Sequence, residues 1–273
     1  MAGNGTSPGT TMISGLMPLS CILPCWGIHY CGRKYLNFKL SGGTNMNAAQ
    51  YRKELVENIE HNALGPNDTF QFTCKECGEC CRNRATPVML TGLDIYRMAK
   101  GLGIDPYEVL ARYTTGYLGD VSHAPVVVLR ERLDGSCSLL RNGKCIVHSC
   151  KPIACAVHPI GRVIDLTQKK SIYIRQPGGC KGAVNGRTWT LDEWLDTWDL
   201  KELDAPSLSW NLMAGMVAEV MHPIKLEDIG RDVIWELYQH LYGDYDVHRD
   251  FTPQVEENSE AIRQFFKSHK MLK

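Results

Sequence analysis

Cys74-Lys75-Glu76-Cys77-Gly78-Glu79-Cys80-Cys81 places four thiols within eight residues, among charged neighbours. Two-residue spacers let a tight turn aim successive sulfurs at one centre, and Gly78 admits the backbone conformation such a turn often needs. Cys74, Cys77 and Cys80 repeat the Cys-x2-Cys-x2-Cys run that holds three corners of an iron–sulfur cubane. Adjacent side chains diverge, so Cys80 and Cys81 suit two separate centres better than one tetrahedral ion. Cys137, Cys145, Cys150, Cys155 and Cys180 follow, so that nine of the twelve cysteines fall between residues 74 and 180. Eight would fill two four-cysteine sites and leave one over.

Such clustering has three competing causes: a disulfide framework, a metal site, or small apolar thiols in a core. Disulfides require export, and the apolar stretch from Met12 to Ile28 is a poor export signal. It has no basic residue before it, carries Pro18 and Pro24, lacks a clear cleavage site, and is short for a membrane span. The expectation is a cytoplasmic protein with no membrane partner, whose reduced thiols hold metal.

Hydrophobic residues make up 44% and charged residues 22%, which points to a globular chain rather than a disordered one. Zero net charge gives the whole chain no electrostatic reason to seek nucleic acid. The distribution is uneven, with eleven Lys or Arg against three acids from Arg130 to Arg187, then eight against seventeen from Thr188 onward. Basic side chains beside the cysteines would offset the negative charge of a thiolate-held metal. A basic face docked on an acidic one is the alternative reading.

Residues 1–45 run Gly, Ser, Thr and Pro around Cys21, Cys25 and Cys31 without helical or strand period, and read as a disordered or non-native extension. Residues 46–187 form the expected cysteine-cluster domain, and 188–273 a helical C-terminal extension packed on it. Ala48 to Ile59 reads as a polar helix, with Leu55, Val56 and Ile59 on one side. Helices are also expected over Thr91 to Lys100, capped by Thr91 and ended near Gly101-Leu102-Gly103, and over Pro106 to Tyr113, led by Asp105. Pro125 to Arg130, Lys144 to Val147, Val157 to Asp165 and Lys170 to Arg175 read as short strands of one small antiparallel sheet.

In the C-terminal part, Leu191, Trp194, Leu195 and Trp198 fall at helical spacing, as do Met213, Met216, Val217, Val220 and Met221 before Pro223. Val233, Ile234, Leu237, Tyr238 and Leu241 give a third such face. Their tryptophans and methionines read as core. After Gly243 an acidic tail is expected to be partly mobile, with a last helix near Ile262 to Phe266. The fold class is α+β: a small antiparallel sheet with a cysteine-rich metal-binding core, flanked by helices.

The motifs resemble the YkgJ-type cysteine-cluster family, a CxxCxxCC zinc- or iron-chelating domain. The CxxCxxCC run is Cys74, Cys77, Cys80 and Cys81. The family's next block appears as Cys137, Cys145, Lys151-Pro152 and Cys155, continued by Pro159, and its closing cysteine beside glycines as Gly178-Gly179-Cys180-Lys181-Gly182. The resemblance spans about Phe70 to Gly182. It implies eight metal ligands, Cys74, Cys77, Cys80, Cys81, Cys137, Cys145, Cys155 and Cys180, with Cys150 a spare or a substitute. It also implies a metal or iron–sulfur centre, usually without an assigned reaction, although flagellin lysine methylases carry a similar cluster.

His148 and His158 lie among these cysteines, and either could replace a thiolate or hydrogen-bond a cluster sulfur. Both metals accept four thiolates. The spacing Cys-x7-Cys-x4-Cys-x4-Cys of the second half departs from the paired CxxC of structural zinc and favours an iron–sulfur cluster, 4Fe-4S, over zinc. A metal-binding role, structural, redox or in metal handling, therefore ranks first, with a protein partner left open. S-adenosylmethionine-dependent lysine methylation ranks second, against the lack of a glycine-rich strand-to-helix turn for a nucleoside cofactor. A zinc-stabilised nucleic-acid-binding module ranks third. HExxH, GxxxxGK[ST] and GxSxG motifs are missing and no acid–base pair stands out, so no catalytic residue is assigned and enzymatic activity is left open.

Overall fold

The computed structural model describes residues 48–82, 87–176 and 180–271, so Cys21, Cys25 and Cys31 lie outside the described residues. Local chemistry sets the first helices. In α2 (Gly92–Leu102) the Thr91 hydroxyl accepts the Asp94 N–H while the Asp94 carboxylate accepts the Thr91 N–H, a reciprocal cap on two otherwise orphaned donors. Gly103, at φ 66°, ends the helix in the left-handed conformation that glycine adopts without penalty. Asp105 accepts the Tyr107 N–H and Pro106 opens α3 (Pro106–Tyr113), as the sequence leads one to expect. The polar helix α1 (Ala48–Asn62) forms too, but Val56 on its expected apolar side is exposed.

The chain passes from α3 into β3 (Thr114–Leu118), which pairs antiparallel with β4 (Pro125–Leu129). The other edge of β4 takes β2 (Met89–Leu90). Every residue of β4 is buried, which explains a continuous apolar run where a half-exposed strand would alternate. The remaining strands do not join this sheet. β5 (Leu140–Arg141) turns back on β6 (Lys144–Cys145), β7 (Gly161–Asp165) on β8 (Lys170–Ile174), and β1 (Thr69–Gln71) meets β9 (Thr188–Thr190). One antiparallel sheet was the expectation; among the described residues four small ones form, β5–β6 and β7–β8 as separate hairpins and β1 with the distant β9, with cysteine-bearing loops between them. The expected strand from Val157 begins only at Gly161, after the short helix α4 (Ile153–Ala156). The class is α+β.

The C-terminal helices are α5 (Leu191–Asp196), α6 (Asp204–Met221), α7 (Arg231–Tyr238), which runs on as a π-helical turn over Gln239–Gly243, and α8 (Phe251–Ser268). Trp194, Trp210, Met213 and Met221 are buried, as core residues should be. The tail is not loose. α8 buries Phe251, Val255, Ile262 and Phe266 and packs on α6, while the Gln254 amide accepts the Asp246 N–H and donates to the carbonyls of Asp246 and Asp250. Counting acids missed this, because the charges occupy one side of α8 and its apolar residues recur at helical spacing on the other. No helix among the described residues is long and apolar enough to cross a membrane.

Where α2 meets α6 and the π turn, Gly92 is required. A Cβ there would overlap the Leu241 carbonyl oxygen and lie 2.5 Å from Trp210 Nε1, which itself donates to Leu241 O at 2.8 Å. Gly92→Ala should destabilise the fold by about 1–3 kcal/mol, the usual cost of overpacking. Urea unfolding followed by circular dichroism would show the midpoint falling; an unchanged midpoint would mean that α2 and the π turn are not held together here.

Candidate metal centre

The first cysteine run is curled by two left-handed residues, Glu76 at φ 48° and Gly78 at φ 70°. Gly78 starts a 3₁₀ turn over Glu79–Cys81, and the Cys81 N–H donates to Gly78 O at 3.0 Å. The turn rests on the β5–β6 hairpin: a Cβ on Gly78 would touch Gly143 O at 3.4 Å and the Leu140 side chain. That hairpin turns at Asn142-Gly143, both at positive φ, the turn chemistry that matches strand twist. Cys145 follows on β6, directly across from Leu140.

Cys80 Sγ and Cys81 Sγ lie 3.9 Å apart. Divergence was expected, but the tight turn folds the two side chains toward each other. Cys137 is stitched to the same turn, since its N–H donates to Cys81 O at 2.8 Å and Ser136 bridges Arg82. The Cys81 thiol is pushed well above the ordinary thiol range, first by its hydrogen bond with Cys80, then by burial and the nearby charges of Cys80, Cys155 and Cys137. Burial also raises Cys145, with Cys137 and Cys80 adding to it. Lys151 lies within electrostatic reach of Cys155, Cys74, Cys80 and Cys145; those thiols raise its pKa, while burial lowers it more strongly. Six of the eight expected ligands thus form one group by electrostatic reach, to one another or to Lys151.

The other two stand beside it. Thr73 N–H donates to Gly182 O at 2.9 Å, which brings the Cys180 segment alongside Cys74, and Cys180 Sγ accepts the Gly182 N–H at 3.4 Å. Cys77 influences Lys181, which pairs with Glu79 at 2.5 Å. Cys74, Cys77 and Cys80 are exposed, Cys137 is buried, and Cys81, Cys145, Cys155 and Cys180 are half-buried. Cys150 turns the other way. Its sulfur packs on α2, where a Cβ on Gly101 would overlap it, and Arg97 is the charge it feels, with none of the other cysteines among its influences.

Neither histidine joins the thiols. The exposed His148 ring stands edge-on to Trp198, with centroids 5.3 Å apart, and His158 edge-on to Phe72 at 5.6 Å. Burial, followed by the charge of Lys151, pushes His158 down to about 4, and its buried Nε2 has no protein partner.

Three positioning side chains escaped the sequence reading. The buried Asp94, besides capping α2, accepts the Ile153 N–H at 2.8 Å and so fixes the start of α4, which carries Cys155. Arg97 Nη1 donates to Lys151 O at 3.1 Å. Trp198 lies under Lys151, whose Nζ is 3.8 Å from the ring centroid. The capping spacing of Thr91 and Asp94 was a readable signal, but nothing local announces a second bond 59 residues away.

None of the nine described cysteines is in a disulfide, and among the described residues no three His, Cys, Asp or Glu side chains are already close enough to hold a metal ion. The donor set nonetheless suits a thiophilic metal, since soft thiolates select zinc and iron–sulfur clusters over magnesium or calcium. Zn–S bonds of about 2.3 Å in a tetrahedron put sulfurs about 3.8 Å apart, close to the Cys80–Cys81 separation. In a cubane each thiolate takes its own iron and the sulfurs stand wider. Residues 73–181 match the CxxCxxCC family model, described as "Putative zinc- or iron-chelating domain", about two-fifths of the chain. No curated protein and no solved structure matches the chain.

Cys150→Ser should leave metal per chain unchanged, whereas Cys155→Ser should remove most of it. Elemental analysis of the two purified variants checks this, and equal losses would place Cys150 among the ligands.

Proposed function

We propose that this chain is a metalloprotein whose cysteines Cys74, Cys77, Cys80, Cys81, Cys137, Cys145, Cys155 and Cys180 hold an iron–sulfur centre. What supports the reading is that thiols from separate chain segments lie within electrostatic reach of one another or of Lys151, whereas the ninth, Cys150, packs on α2 and feels Arg97. The Cys-x2-Cys-x2-Cys spacing of the first three favours iron–sulfur. When bound, such a cluster supplies one-electron redox chemistry. The chain's own residues exclude water from one side, where Cys137 is buried, and leave Cys74, Cys77 and Cys80 open on the other. An electron or a metal donor would approach that open side. Thiolate ligation needs reduced cysteines, so the reading implies a reducing compartment such as the cytoplasm.

Zinc is the second reading, favoured by the 3.9 Å between Cys80 and Cys81 sulfurs, which suits an edge of one tetrahedral ion. The full chain purified without oxygen should carry iron and acid-labile sulfide in equal amounts, with a broad visible absorption band. Zinc without sulfide would replace the first reading by the second, and neither metal would overturn both. Cys77→Ser should lose most of the metal and lower the thermal midpoint, because metal binding is coupled to folding. Full metal content and an unchanged melt would remove Cys77 from the ligand set.

A further inference from the structure

We propose that Lys151 is the fixed counter-charge of this centre, held over the thiolates by the Trp198 ring, and that its charge strengthens metal retention and raises the centre's reduction potential. The inference rests on the metal-binding reading above. Most lysines on this chain lie in solvent or face a carboxylate. Lys181 pairs with Glu79, and Lys201 with Asp192 and Asp196. Lys151 forms no such pair among the described residues; it is half-buried, and its ammonium lies 3.8 Å from the Trp198 centroid. The thiols of Cys155, Cys74, Cys80 and Cys145 lie within its electrostatic reach, as do the rings of His148 and His158.

The placement is built from several elements. Arg97 on α2 holds the Lys151 carbonyl, and the ring of Pro152, the residue after Lys151, fixes that proline's own φ. Asp94 holds the N–H of Ile153 beyond it. Trp198, just beyond α5, supplies the aromatic face, and a cation over such a face is attracted by the ring quadrupole. The ammonium is thereby kept over the ring rather than extended into water.

A dication with four thiolates carries a net charge of −2, and a [4Fe–4S] cluster so ligated gains one further negative charge on one-electron reduction. A neighbouring positive charge favours deprotonated ligands, which metal binding requires, and favours the more negative reduced state. In the half-buried site this charge is weakly screened by salt. Lys181 cannot substitute, since its ammonium is exposed and already paired with Glu79.

The test uses the full chain, loaded and handled without oxygen, with K151M, K151R and W198L, and with K151Q in place of K151M if the latter does not fold. Two quantities are read: the rate of metal release to excess EDTA, and the midpoint potential of the centre if it is iron–sulfur. Expected are wild-type metal per chain in every variant and release about tenfold faster in K151M. Its reduction equilibrium should shift about tenfold toward the oxidised state, about 59 mV for one electron. K151R should return both readings to near wild type, and W198L should lie between. K151M indistinguishable from wild type in both readings would overturn the proposal and leave the metal-binding reading standing. K151R behaving like K151M would also overturn it, by showing that lysine's shape rather than its charge matters. A wild-type chain without metal would sink the metal-binding reading and this inference together.

Discussion

The carboxylate of Asp94 is the junction between scaffold and cysteines. One oxygen accepts the Thr91 N–H and hydroxyl at 2.9 and 2.8 Å, and the other accepts the Ile153 N–H at 2.8 Å. Hydrogen bonds to charged groups contribute about 1.5–3 kcal/mol each, and a buried acceptor stripped of its donors costs a comparable amount. The same side chain that starts α2 therefore starts α4. The position of Cys155 relative to the first cysteine run follows from how α2 is seated in the core. α2 in turn is seated by Gly92 against Trp210 and the π turn, so the C-terminal helices take part in placing the thiols.

Aromatic residues do the equivalent work beneath the cysteine loops. Trp194 donates to Val157 O at 3.1 Å just past Cys155, and Trp189 donates to Phe72 O at 2.8 Å just before Cys74. Phe72 and Trp194 meet edge to face at 5.3 Å. Indoles combine a large apolar area with one donor, so each can fill space under a loop and still satisfy a loop carbonyl. The loops that carry the thiols are thus held by backbone bonds and rings.

What could be read from the sequence was what local chemistry decides. Thr91, Asp105 and Gly103 mark helix ends through bonds made within a few residues, and each behaves as its type predicts. The two-residue cysteine spacers and Gly78 marked a tight turn, and Gly78 does start one over Glu79–Cys81. Pairings across long separations were not legible. A two-residue strand such as Leu140–Arg141 carries too little pattern to say which partner it takes, so one sheet became several. Lys151 over Trp198 and Asp94 to Ile153 depend on how elements pack, and no spacing rule reaches that far. In the tail, the helix expected near Ile262 to Phe266 is the end of α8, whose earlier start at Phe251 the acidic composition obscured.

The bond from Thr73 to Gly182 and the ladder of β1 on β9 have a topological consequence. The cysteine-bearing stretch begins and ends with its two ends side by side. Chain entering and leaving at one point is the arrangement in which a unit can be inserted into different hosts without re-routing their backbone. A family signature confined to residues 73–181 is what such a graft would leave behind.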